Sequence, residues 1–116
     1  MRVNKELLKG SVATLALTVL DRKSAYGYEL IKEIERTSDG VLCLKEGTLY
    51  PILHSLEKEG AIESFWLEKA DTRKRKYYRL TKAGRGLLKE RTKEWKTFRS
   101  VMDQILSGAR LLWSAQ

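Results

Sequence analysis

Few side chains in this sequence have the type and spacing for bond-making chemistry. His54 is the sole histidine and Cys43 the sole cysteine, which excludes a two-histidine zinc motif, a cysteine cluster and an intrachain disulfide. The acidic residues are scattered, and none stands in an apolar setting that would tune it for acid–base work. Gly84-Arg85-Gly86 contains a G-x-G, but no third glycine follows and no βαβ pattern surrounds it. It reads as the start of a helix, not as a nucleotide loop. No catalytic residue, metal ligand or cofactor is therefore assigned, and the chain is not expected to be an enzyme. What the sequence does concentrate is positive charge. Lys69, Arg73, Lys74, Arg75, Lys76, Arg79, Lys82 and Arg85 fall within seventeen residues, with Asp71 the sole acid among them. Cations clustered in this way form an electrostatic footprint for phosphates.

The whole chain points the same way. Its 116 residues suit one domain with an appendage, and 42% hydrophobic residues suffice for a core. Lys plus Arg number 23 against 15 Asp plus Glu, a net charge of +8 that favours polyanions such as nucleic acid or an acidic membrane surface. Arg2, Lys5 and Lys9 ahead of an apolar stretch resemble a signal peptide, but Asp21, Arg22 and Lys23 stand where small neutral cleavage residues belong. No apolar run approaches the roughly 20 residues needed to cross a bilayer. With a lone cysteine, a reducing, cytoplasmic compartment is expected.

The elements that must position this charge are organised around residues 46–60, EGTLYPILHSLEKEG. Leu49, Ile52, Leu53 and Leu56 recur at the spacing of a helix with one apolar face, and Gly47 and Gly60 bracket it. Gly47, Pro51, His54, Ser55 and Lys58 fall on the opposite side, with Thr48 and Tyr50 on its shoulders. Pro51 has no N–H to give, so the helix must begin at 46–48 and leave the proline in or near the first turn. Such an end, carrying small and hydrogen-bonding residues, can approach phosphates or base edges.

Ahead of this helix, Leu7, Leu8, Val12, Leu15, Ala16, Val19 and Leu20 predict one amphipathic helix over 4–20 with Asn4 as N-cap. Tyr28, Leu30, Ile31 and Ile34 predict a second, capped by Ser24 and ending near Thr37, and 41–44 reads as a short strand. Beyond Gly60 the pattern becomes that of a β-hairpin over 62–68 and 75–80, turning at Asp71-Thr72. Thr81 then caps a long final helix reaching Ser107 or Gly108. In that helix Leu88, Arg91, Trp95, Phe98, Met102, Ile105, Ala109 and Leu112 form a heptad seam with one charged exception. A helix of about 26 residues spans about 39 Å, so its far half outruns the domain and needs a partner chain.

Two helices with a turn and a charged hairpin behind them form a helix-turn-helix with a wing. The chain resembles the PadR family of bacterial transcriptional regulators. The resemblance is carried by Tyr26-Gly27-Tyr28-Glu29-Leu30, by Gly47-Thr48-Leu49-Tyr50-Pro51 with Leu53, Leu56-Glu57, Gly60 and Ile62, and by Arg75-Lys76-Tyr77-Tyr78-Arg79-Leu80-Thr81 with Ala83-Gly84. It covers most of residues 7–86, and the length is similar to that of the short subfamily with one C-terminal helix. It implies a winged-helix homodimer that binds double-stranded DNA at an inverted-repeat operator, usually as a repressor. Ser55 stands where members often carry a basic residue, and Lys69-Ala70-Asp71-Thr72 lacks the glycines frequent at their wing tips.

The expected fold class is mainly α with a small β-hairpin wing, divided into a winged helix-turn-helix domain at 1–81 and a dimerisation helix and tail at 82–116. Expected DNA contacts are Tyr26, Thr48, Tyr50, His54, Ser55 and Lys58, together with Arg73, Lys74, Arg75 and Lys76 of the wing. The expected dimer interface comprises Leu7, Leu8, Leu88, Trp95, Phe98, Met102 and Ile105. Trp95 and Phe98 either interlock across the dimer as ordinary core or wall a slot for a planar aromatic ligand, which the resemblance implies for some short members. The competing readings are a winged-helix module that binds protein instead of DNA, and a basic protein lying on an acidic membrane.

Overall fold

A computed structural model describes residues 1–68 and 73–108. The expected wing tip at Lys69-Ala70-Asp71-Thr72 and the seam positions Ala109 and Leu112 lie outside the described residues. The elements are α1 (Lys5–Lys9), α2 (Val12–Arg22), β1 (Ala25–Tyr26), α3 (Gly27–Thr37), α4 (Glu46–Lys58), β2 (Ile62–Leu67), β3 (Arg75–Leu80) and α5 (Lys82–Asp103), which runs on into a π-helical turn at Gln104–Gly108. The fold is mainly helical with an antiparallel sheet of order β1-β3-β2, a winged helix with a long C-terminal helix.

Helix α2 is the hub. Its Val12, Ala16, Leu17 and Leu20 are buried against Leu30 and Ile34 of α3, Leu49, Leu53 and Leu56 of α4, and Ile62 and Tyr78 of the sheet. The continuous helix expected over 4–20 is instead broken at Gly10 and Ser11. The helical period runs through the break because Leu8 and Val12 are four apart and both reach the core. Gly10, a weak helix former, gives the chain a place to turn between them. Asn4 caps α1 as expected, its Oδ1 accepting from the Glu6 N–H at 2.8 Å.

Two further expectations are corrected. Residues 41–44 form no strand: Leu44 is buried as an anchor, and the Leu42 N–H is taken by Ser38 Oγ at 3.0 Å. The short strand is Ala25–Tyr26, paired with Tyr78 and Tyr77 of β3. Consequently Tyr26, not Ser24, caps α3, its backbone N–H donating to Glu29 Oε1 at 3.2 Å.

The junction between α4, the wing and α5 is a compact knot of hydrogen bonds. Gly60 takes φ +81°, its N–H donates to Glu57 O at 3.0 Å and the Ala61 N–H donates to Leu56 O at 2.9 Å. Together these bonds close a Schellman motif that turns the chain from α4 into β2. Thr81, at the end of β3, donates its hydroxyl to Gly60 O (2.6 Å) or Ala61 O (2.9 Å) and accepts from the Gly84 N–H at 3.0 Å to start α5. Thr81→Ala is expected to cost about 1–2 kcal/mol, to be read as a lower urea midpoint with an unchanged slope.

Helix α5 leaves the domain. Gly84, Leu87 and Leu88 pack on the core, but every residue from Lys93 to Ser107 is exposed. The molecule measures 67 × 31 × 21 Å with a radius of gyration of 17.3 Å, against about 13 Å for a compact chain of this length. Among the described residues no helix is long and apolar enough to cross a membrane.

Candidate nucleic-acid interface

Burial of Leu49, Leu53 and Leu56 fixes the rotation of α4 and leaves Gly47, Pro51, His54, Ser55 and Lys58 exposed in one outward band, with Thr48 at its half-buried margin. The helix starts at Glu46, so Pro51 is its sixth residue and sits in the second turn, slightly deeper than expected. The proline leaves the Gly47 carbonyl without a helical partner, at an exposed position where water can serve it. Tyr50 is turned partly inward, its phenol packed against Gly27 at the start of α3. Burial, then the charge of Glu46, pushes its ionisation above the ordinary tyrosine value.

The hairpin register, Ile62 opposite Leu80 through Leu67 opposite Arg75, sets which wing side chains share a face. The basic run splits accordingly. Arg73 and Lys74, just before β3, are exposed and hold no ion pair among the described residues. Arg75 donates to the Tyr26 hydroxyl and lies 4.4 Å from that ring's centroid. Lys76 Nζ is 3.4 Å from Glu57 Oε1, and Glu57 also accepts from the Ser64 hydroxyl. The Ser64 bond, and after it the Lys76 charge, hold the Glu57 carboxyl below its ordinary value against the opposing effect of burial. Arg79 is paired with Glu63 at 2.7 Å and lies 4.8 Å from the Phe65 centroid.

Four neighbouring cations that look equivalent in sequence thus have different surroundings. Glu57, which anchors Lys76, and Ser64, which donates to Glu57, carry no sequence signal for those roles. They meet only because the Gly60 turn folds β2 back along α4.

At the other end of the molecule, Leu8 is buried in the chain's own core while Leu7 is exposed, so only Leu7 of that pair offers surface to a partner. Leu88 is half-buried, and Trp95, Phe98, Met102 and Ile105 are exposed together with Val101 and Leu106. The Trp95 and Phe98 rings stack on each other with centroids 5.7 Å apart and 15° between planes. They wall a cleft of about 690 Å³ whose other sides include Val3, Leu7, Leu15 and Leu42. Cys43 is half-buried, its thiol 3.2 Å from Gly40 O and 3.5 Å from Glu35 Oε1.

A helix presenting a polar band beside a basic two-stranded wing defines the winged-helix class of DNA-binding domains. Residues 16–90 match the PadR-like family of transcriptional regulators, and the chain belongs to that family. It is 34% identical over 106 residues to an uncharacterised protein of Lysinibacillus sphaericus, covering 91% of this chain and 97% of that one. A solved transcriptional regulator from Clostridium thermocellum superposes with a TM-score of 0.80 at 33% identity, covering 88% of this chain and 96% of the other. A PadR family regulator from hypervirulent Clostridium difficile R20291 gives 0.73 at 34% identity, covering 84% and 100%.

Proposed function

We propose that this transcriptional regulator is a cytoplasmic repressor that binds an inverted-repeat operator as a homodimer. The outward band of α4 enters the major groove, where Thr48, His54, Ser55 and Lys58 reach base edges and adjacent phosphates, with Tyr50 at the margin. Arg73 and Lys74 grip the phosphate backbone beside it. The observation that carries this reading is a polar, exposed face on α4 in the same domain as two exposed wing cations that hold no ion pair among the described residues.

The wing then supplies affinity and α4 supplies choice. Arg73→Ala/Lys74→Ala is expected to weaken specific and non-specific duplexes alike and to flatten the salt dependence by roughly one for each phosphate the wing ceases to neutralise. Thr48→Ala or His54→Ala should mainly reduce discrimination between operator and random duplex, by about 1–3 kcal/mol per base contact removed. Gel shifts over a salt series measure both. Full affinity with an unchanged salt slope in the double variant would remove the wing from the interface.

The effector belongs to the same proposal. A planar aromatic compound held against Trp95 and Phe98 would alter the angle between two winged domains, and so their fit to the half-sites. Linkage requires that operator and ligand weaken each other by the same factor. Titration with planar aromatic compounds should quench tryptophan fluorescence in the wild type and not in Trp95→Ala. Unchanged quenching in the variant would show that the cleft is not the effector site.

A further inference from the structure

Arg75 and Lys76 are neighbours in β3, so their side chains leave on opposite faces of the hairpin. Both reach back toward the helical body. On the inner face Lys76 meets Glu57, which also holds Ser64. On the outer face Arg75 meets Tyr26, a residue of β1 that directly precedes α3.

The outer contact belongs to a small second core. Tyr26 packs edge-on against Tyr77 with centroids 5.3 Å apart, and Phe65 stacks on Tyr77 at 5.7 Å. Tyr77 is consequently only 6% exposed, although it lies outside the main hydrophobic cluster. The Arg75 guanidinium closes this layer, with one N–H on the Tyr26 hydroxyl and its charge near the ring face. It stands at the first residue of β3, where the hairpin leaves the domain.

We propose that Arg75 and Tyr26 form a positioning latch. They set the angle at which the wing projects from the helix-turn-helix, so that Arg73 and Lys74 meet the phosphates, and Arg75 itself contacts none. This deepens the DNA-binding reading and rests on it. Held by a phenol and an aromatic face, the guanidinium is turned onto Tyr26, and swinging it out of this layer toward a phosphate would break both contacts. Freed from the latch, the hairpin keeps its strand pairing but loses its fixed direction, and the entropy of ordering it falls on the DNA complex.

The test is a double-variant cycle of Tyr26→Phe and Arg75→Gln, read by operator affinity and by hydroxyl-radical footprinting of the bound duplex. Tyr26→Phe keeps the ring and every cation and removes only the hydroxyl. Each single variant is expected to lower affinity roughly tenfold, the scale of removing one hydrogen bond to a charged group, and the double variant should be no weaker than either. Protection of the sugar backbone under the wing should fade in all three while protection under α4 persists, a split that loss of folded protein would not produce. A silent Tyr26→Phe beside a weakened Arg75→Gln, or losses that add, would make Arg75 a direct phosphate contact and overturn the latch. Retained wing protection in Tyr26→Phe would overturn it as well. Arg73→Ala/Lys74→Ala in the same assay separates the two levels. If that variant keeps full affinity, the wing reading itself has failed, whereas additive losses alongside a weakened Arg73/Lys74 variant sink only the latch.

Discussion

Gly84→Ala is expected to destabilise the protein by about 3 kcal/mol or more, a large share of the roughly 5–15 kcal/mol by which a domain of this kind is stable. A methyl group at this position would overlap the Ala61 carbonyl oxygen and come within 2.7 Å of Leu80 Cδ1. The leucine tip can shift, but the backbone oxygen cannot easily yield. The Ala61 oxygen is fixed by the Thr81 N–H at 3.1 Å and by the Thr81 hydroxyl at 2.9 Å, so displacing it would pull apart the junction of α4, wing and α5. Gly86 is the internal control. It lies in the same helix with nothing within 4 Å of an added methyl group, so Gly86→Ala should stabilise by about 0.5–1 kcal/mol through helix propensity. Urea unfolding of the two variants should therefore move in opposite directions from the wild type. Equal midpoints would mean that α5 does not approach Ala61 as closely as described.

Ile105→Glu is expected to split the proposed homodimer or unfold it. Trp95 and Ile105 are 50% and 56% exposed in the single chain, with Phe98, Val101, Met102 and Leu106 exposed around them. Full burial of such a side chain is worth about 1.5–3 kcal/mol, and covering the half of each that is still exposed gains roughly half of that, so a second chain laid along this face gains several kcal/mol in total before the costs of association. The cleft walled by Leu7, Leu15, Trp95 and Phe98 opens beside this face, so a partner chain lying there would roof it. A carboxylate placed in that contact would be buried without a partner, at a cost of several kcal/mol. Sedimentation of the wild type at micromolar concentration should give a dimer, and of Ile105→Glu a monomer or unfolded chain. A folded wild-type monomer would show that α5 is left uncovered.

Helices and turns with local signals were legible in the sequence. The leucine period and the flanking glycines located α4, runs of β-favouring residues bounded the hairpin, and Thr81 capped α5 as its position implied. What was not legible depends on residues distant in the chain. Ala25 and Tyr26 are too few to announce a strand, and become one only because β3 lies about fifty residues further on, ready to pair. The period across Gly10 hid a break, because a helix and a turn both place Leu8 and Val12 against the same core. Gly84 gains its meaning only from the Ala61 carbonyl that folding brings beside it. Within the basic run, composition marked the right segment but could not divide it. Arg75 and Lys76 are distinguished from Arg73 and Lys74 only by Tyr26 and Glu57, partners that tertiary structure supplies.

The most direct test of the central claim is selection of duplexes from a random pool by the purified protein, followed by sequencing of what is retained. The account predicts a single enriched motif with two-fold symmetry, its half-sites about one helical turn apart, and binding that falls steeply as salt rises. Base preferences within each half-site should shift in Thr48→Ala and His54→Ala and stay fixed in Arg73→Ala/Lys74→Ala. A pool that emerges without any motif, or a motif unchanged by every substitution on α4, would contradict sequence-specific recognition by this helix.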